Sequence, residues 1–309
     1  MSILKPLFRL SHLTPPLFAL FAPLGCGGEP LAEEEEPLGV LRESLNGCYA
    51  MAAVSPGQTA HLLHPDVGFC YLTKISGAFS LEYSGSAEVA VGFDGYWQLT
   101  TTGNVTAEGT CVRRSCLYPK QADDTIMMSR TPGGTFGVGR TGGSCASRSS
   151  GTWHGDAATA LTGMNGEFDG GGESIRVAQS TSGTVASSII AQVCNDEHVG
   201  GGAETLFVGT PGTGKPALFV GPSGVTAPFS QTGGFSLTSF QAPINMARSD
   251  RAMCYLSRVA GKFRGGGERV QIKEVMVGSF PHWQLSASAR QSDGVQVSAN
   301  CFKLEQYTL

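Results

Sequence analysis

The sequence predicts an all-β fold of repeated, disulfide-braced antiparallel modules with little helix. Three observations carry that expectation. A segment near the C-terminus recurs near the start and, more loosely, between the two. Within each copy, apolar and polar residues alternate at period two, the pattern of a strand with one face buried. The 309-residue chain also holds 43 glycines and almost no helical periodicity, which suits many short strands joined by turns.

The clearest copy runs from Cys254 to Cys301: C-Y-L-S-R-V-A-G-K-F, then G-G-G-E-R-V-Q-I, H-W-Q-L and V-Q-V-S-A-N-C. The first copy, Cys70 to Cys111, reads C-Y-L-T-K-I-S-G-A-F, S-A-E-V-A-V, Y-W-Q-L and V-T-A-E-G-T-C. The third begins A-L-T-G-M-N-G-E-F-D-G-G-G-E-S-I-R-V at Ala160 and closes near Cys194. The matching leucines are Leu72, Leu161 and Leu256, so the unit is 89 to 95 residues long. In the closing strand Val295, Val297, Ala299 and Cys301 share one face, as Val105, Ala107, Gly109 and Cys111 do. Trp97 with Leu99, and Trp283 with Leu285, point inward by the same parity. The G-G-G runs at 170–172 and 265–267 read as turns or bulges, where glycine reaches positive φ without strain. Segments 117–158 and 195–252 keep strand-length apolar runs such as T-L-F-V-G and F-S-L-T-S-F, so they read as further hairpins. The organisation expected is a signal at 1–25, a tether at 26–37, and modules at 38–116, 117–194 and 195–309. Packing about a pseudo-threefold axis and packing as a row of sandwiches both satisfy this pattern.

The N-terminus carries Lys5 and Arg9, an apolar run from Leu17 to Leu24, and A-P-L-G-C-G-G around Cys26. This segment resembles a bacterial lipoprotein signal, although Pro23 stands where that family has Leu. The resemblance implies cleavage before Cys26 and acylation of that cysteine, hence a membrane partner reached through lipid. An ordinary secretory signal cleaved nearby is the alternative. Gly27 lacks the Asp that retains enteric lipoproteins at the inner membrane, and the resemblance therefore points to the outer membrane. Glu33 to Glu36 follow in a segment with little to bury, a solvated tether. Removal of the signal leaves 19 basic against 25 acidic residues, a net charge of −6 without a basic cluster. Nucleic acid is not the expected partner of such a chain.

With Cys26 set aside, eight of the nine cysteines remain, an even set that reads as disulfides in an exported chain. Repeat equivalence pairs Cys70 with Cys111 and Cys254 with Cys301. Cys145 with Cys194 is then the middle counterpart, leaving Cys48 with Cys116. In this alignment Cys194 falls one residue out of register, and Thr159 aligns with Cys70. No C-x-x-C occurs, which argues against zinc-ribbon and thioredoxin-like chemistry.

Motifs that suggest catalysis are weak. G-T-P-G-T-G-K-P at 209–216 mimics a phosphate loop, but Pro216 replaces the metal-binding hydroxyl and removes a backbone donor. His61, His64 and Asp66 make H-x-x-H-x-D, whose helical spacing is disfavoured by Pro65; a surface loop is expected and no metal or cofactor is assigned. His198, in N-D-E-H, is expected in solvated loop. Glu173 and Glu268 close G-G-G-E twice, with Glu88 in the comparable place before V-A-V. Acids that recur with the repeat suit hydrogen bonding to turn amides better than a catalytic pair. Asp66 and Asp250 each precede an opening cysteine by four, and calcium binding by such acids is a third reading. Tyr96 and His282 flank the inward tryptophans and should face outward, where aromatic groups suit contact with glycan or protein.

The function expected is therefore that of an exported, lipid-anchored cell-envelope protein with a binding, adhesion or structural role and no enzymatic activity. The alternative is a secreted glycan-acting hydrolase that uses two of the repeated carboxylates.

Overall fold

Period-two alternation becomes strand along nearly the whole folded body. The computed structural model describes residues 39, 41–44, 47–80, 85–116, 145–149, 157–168, 170, 172–182, 185–194, 199–207, 218–220, 222, 226–228, 234–289 and 294–304. The signal, Cys26, the tether, His198 and the 209–216 loop lie outside these residues. In the first repeat the strands are β1 (Arg42–Glu43), β2 (Tyr49–Val54), β3 (Thr59–His61), β4 (Gly68–Ala78), β5 (Ser86–Val91), β6 (Trp97–Thr102) and β7 (Asn104–Arg113). The second holds β8 (Cys145–Ser149), β9 (Ala157–Gly166), β10 (Ser174–Ser182), β11 (Val185–Cys194) and β12 (Val199–Phe207). The third holds β13 (Leu218–Val220), β14 (Thr226–Pro228), β15 (Phe235–Thr238), β16 (Ile244–Arg248), β17 (Ala252–Gly261), β18 (Arg264–Val277), β19 (Phe280–Ser288) and β20 (Val295–Lys303). The only helical element among the described residues is a 3₁₀ turn at Arg114–Cys116.

The pairing follows one rule three times. A long first strand pairs with the fourth strand of its own repeat: β4 with β7, β9 with β12, β17 with β20. The second and third strands form a hairpin: β5 with β6, β10 with β11, β18 with β19. Each hairpin then joins the first strand of the next repeat: β5 to β9, β10 to β17, and β18 back to β4. Every sheet is thus shared by two repeats, and the circuit closes. The three sheets run β1-β2-β7-β4-β18-β19-β16, β14-β13-β20-β17-β10-β11-β8 with β15 also on β20, and β12-β9-β5-β6-β3. This is the pseudo-threefold arrangement and not a row of separate sandwiches.

The axis is marked by Phe79, Phe168 and Phe263, all with no solvent exposure. The Phe79 N–H donates to the Phe263 carbonyl at 2.8 Å, Phe263 to Phe168 at 2.5 Å, and Phe168 to Phe79 at 2.8 Å. The ring of Phe79 meets that of Phe168 at 6.0 Å and that of Phe263 at 5.7 Å, both edge-on. Two residues before each phenylalanine stands a glycine with positive φ: Gly77 at 115°, Gly166 at 94° and Gly261 at 110°. A Cβ on Gly77 would lie 2.1 Å from the Asn104 carbonyl, so only glycine lets the first strand bend onto the axis there.

Each first strand also bulges at the same place. The register skips Thr73, Thr162 and Ser257, each buried. One extra residue raises the local twist and lets a long strand serve two sheets. Thr73 satisfies its hydroxyl against Thr110 at 2.9 Å. The inward tryptophans are equivalent to the atom: Trp97 donates its indole N–H to the Gly68 carbonyl and Trp283 to that of Ala252, each two residues before an opening cysteine.

All four expected disulfides are present: Cys48–Cys116, Cys70–Cys111, Cys145–Cys194 and Cys254–Cys301. One equivalence is corrected. Cys145–Cys194 joins β8 to β11, whereas the position matching Cys70–Cys111 is occupied by Thr159 opposite Thr205. The second repeat therefore closes on β12, beyond Cys194, because the strand hydrogen-bonded to its first strand begins at Val199. At 265–267 the glycines form the expected bulge, with φ of 83° at Gly265 and 105° at Gly267.

Candidate functional site

Two of the repeated carboxylates are committed to their own turns. Glu173 accepts the Gly170 N–H at 2.9 Å and Glu268 that of Gly266 at 2.6 Å. Their residues are 2% and 4% exposed, so neither is offered to a ligand. Glu88 is different. Strand register makes Glu88 the counterpart of Arg176 and Gln271, while Gly85 occupies the place of Glu173 and Glu268. Glu88, Glu173 and Glu268 look equivalent in sequence because each precedes a short apolar run. Glu88 is exposed, and among the described residues its side chain makes no hydrogen bond or ion pair.

Alternation places Glu88 and Ala90 on the outer face of β5, with Gln98 and Thr100 opposite them on β6. Val89, Leu99 and Trp97 point into the core. Across β6, Thr59 and His61 of β3 extend the same face. Together Glu88, Ala90, Gln98 and Thr100 line a shallow depression of about 300 Å³, bounded by Phe93.

The turn at the rim is held by one carboxylate. Asp94 accepts the Tyr96 N–H at 3.2 Å and the Gln98 amide at 3.1 Å, and it pairs with His61 at 3.0 Å. Gly95 supplies a φ of 83°, and the Gly92 N–H closes the hairpin on the Tyr96 carbonyl at 2.8 Å. Pinned in this way, Phe93 projects wholly into solvent. Tyr96 faces outward as expected, 45% exposed, with its ring edge-on to His64 at 5.3 Å.

His61 and His64 do not converge on a metal. His61 pairs with Asp94, while His64 lies 3.4 Å from Asp66. Among the described residues no cluster of three His, Cys, Asp or Glu side chains is arranged for a metal ion. Asp250 is held below the usual carboxylate range by its hydrogen bond to Arg248, whose guanidinium also lies 3.8 Å over the Phe280 ring. His282 is half-buried, with Nδ1 3.1 Å from the Phe280 carbonyl. The β18–β19 tip exposes Met276, Val277 and Phe280.

Polar side chains also lie inside the body. Glu108, nearly buried, is paired with Lys74 at 2.8 Å and approached by the Gln271 amide at 3.4 Å, tying three strands together. Tyr71 and Tyr255 stand edge-on at 6.3 Å in the core. Burial pushes both hydroxyls well above the ordinary tyrosine range, and for Tyr71 the neighbouring Tyr255 and Tyr49 add to the effect. Tyr49 is raised by burial and then by Glu274, which also bonds Ser249.

The fold and the face together define a disulfide-braced, pseudo-threefold β protein with an open, polar and aromatic sheet face. No protein-family model, curated protein sequence or solved structure matches this chain. Among the described residues no helix is long and apolar enough to cross a membrane.

Proposed function

We propose that this chain is an exported cell-envelope protein, lipid-anchored at Cys26 in the outer membrane, which acts by binding and not by catalysis. The observation that carries the reading is the covalent frame. Four disulfides clamp strand ends among the described residues, and such bonds persist in oxidising compartments outside the cytosol. Rigid, cross-linked sheets suit a module that presents a surface under harsh external conditions. Burial of Glu173 and Glu268 against their own turn amides favours binding over hydrolysis, because a glycosidase needs two accessible carboxyl groups flanking one bond. The acidic segment at 33–36 supports a solvated spacer between anchor and body.

The anchor is tested by labelling cells with a fatty-acid probe. The natural chain is expected to take up label and to sediment with outer membranes. The Cys26→Ser chain is expected to lose both. A natural chain that carries no acyl group and fractionates with soluble protein overturns the anchor.

A further inference from the structure

We propose that the outer face of β5, β6 and β3 is a binding site for a neutral pyranose saccharide, stacked on Phe93 and hydrogen-bonded by Glu88, Gln98 and Thr100. The inference deepens the binding role proposed above and rests on it. It begins with two features of the face that folding alone does not require. Phe93 is fully exposed, against the hydrophobic preference of its ring, and the Asp94-centred turn holds it in that position. Glu88 stands beside it without a partner among the described residues.

The floor between them is flat for a reason. The Gln98 side chain lies across Gly92, where a Cβ would meet its amide nitrogen at 2.3 Å. One N–H of its amide goes to Asp94, and among the described residues its amide oxygen keeps its acceptor capacity. Thr100 shares its hydroxyl with Thr59 at 3.2 Å and retains capacity for another bond. Ala90 adds only a methyl group. The depression of about 300 Å³ lies at the small end of ligand sites, which span roughly 300–1,000 Å³.

These groups select a chemistry. A ligand must present C–H bonds to an aromatic ring and hydroxyl donors to a carboxylate and an amide oxygen in one plane; a pyranose ring does both. An anion would meet Glu88 and no cation in the lining. A purely apolar ligand would strip water from that carboxylate without replacing it. A basic peptide would use Glu88 and Phe93, and the oligolysine titration below separates it from a saccharide.

The full chain is titrated with neutral oligosaccharides built from glucose, galactose, mannose or N-acetylglucosamine, and separately with an oligolysine peptide. At least one saccharide is expected to bind. Phe93→Ala should weaken it at least tenfold and Glu88→Gln several-fold, whereas Phe240→Ala, an exposed aromatic elsewhere, should leave it unchanged. Equal melting temperatures confirm that these surface variants are folded. The assignment is overturned if no saccharide binds, if Phe93→Ala binds as tightly as the natural chain, or if only oligolysine responds to Phe93→Ala. In each of those cases, capture of envelope fractions by the Phe93→Ala chain keeps the broader binding role, while loss of all envelope binding by the natural chain removes that role itself.

Discussion

Tyr71 is packed without exposure, and its hydroxyl has no hydrogen-bond partner among the described residues. A buried polar group left unpaired costs roughly 1–3 kcal/mol, so removing it should help. Tyr71→Phe is expected to keep the fold and to raise the denaturant midpoint, by up to about 1 kcal/mol in stability. A clear loss of stability would show that the hydroxyl is satisfied. The same environment sets a response to base. Tyr49, Tyr71 and Tyr255 have folded pKa values raised chiefly by burial, whereas in the unfolded chain they ionise near about pH 10. Their neutral forms therefore support the fold fully below about pH 10, and that support is lost as the pH climbs above it. Absorbance of tyrosinate should thus rise in two stages, with the last tyrosines appearing only together with unfolding.

The first and fourth strands of repeats one and three are clipped by Cys70–Cys111 and Cys254–Cys301, and the second repeat has Thr159 opposite Thr205 at that position. Closing loops of 41 and 47 residues restricts the unfolded chain by about 4 kcal/mol each in the chain-entropy account. Replacing Cys254 and Cys301 together by Ala should therefore lower stability by about 2–4 kcal/mol, read from chemical denaturation under non-reducing conditions. A change below about 0.5 kcal/mol would mean that the clip restrains nothing the sheet does not already hold. The pairing itself is legible in the sequence, since the two cysteines of each pair open and close equivalent copies of the repeat. The middle pair forms as expected, but not at the equivalent place in its repeat. Cys145 and Cys194 meet across β8 and β11, a contact that no repeat equivalence describes.

Across the whole molecule, every sheet takes its strands from two repeats, so no repeat owns a complete core. The side chain of Ser76 donates to the carbonyl of Glu268, 192 residues away, and the Phe79, Phe168 and Phe263 circuit needs all three units. Residues 38–116 alone contain two disulfides, yet they lack the hairpin that covers β4 and the strand that accepts β5. Expressed separately, this segment should give poorly dispersed amide resonances and no cooperative melt, or should assemble into trimers that rebuild the circuit. A well-folded monomer by sedimentation and NMR would contradict the shared-sheet architecture.

Local chemistry determined a good deal. Period-two alternation determines which side chains point inward, the even cysteine set points to disulfides and repeat equivalence to their pairing, and the recurrence of G-G-G-E points to acids that serve their own turns. Each of these depends on neighbours within a strand or a turn, and such signals are written in consecutive residues. The outer face of β5 and β6 was only partly visible: Tyr96 and Glu88 stood out, whereas Phe93, Gln98 and Thr100 did not. Their importance comes from Asp94 fixing a turn and from Gln98 lying over Gly92, contacts that require the folded hairpin. The choice of a pseudo-threefold body over a row of sandwiches was decided by tertiary structure alone. The ladders that join one repeat to the next are made by backbone groups, and backbone groups are the same in every residue, so the sequence has no direct way to name the partner strand.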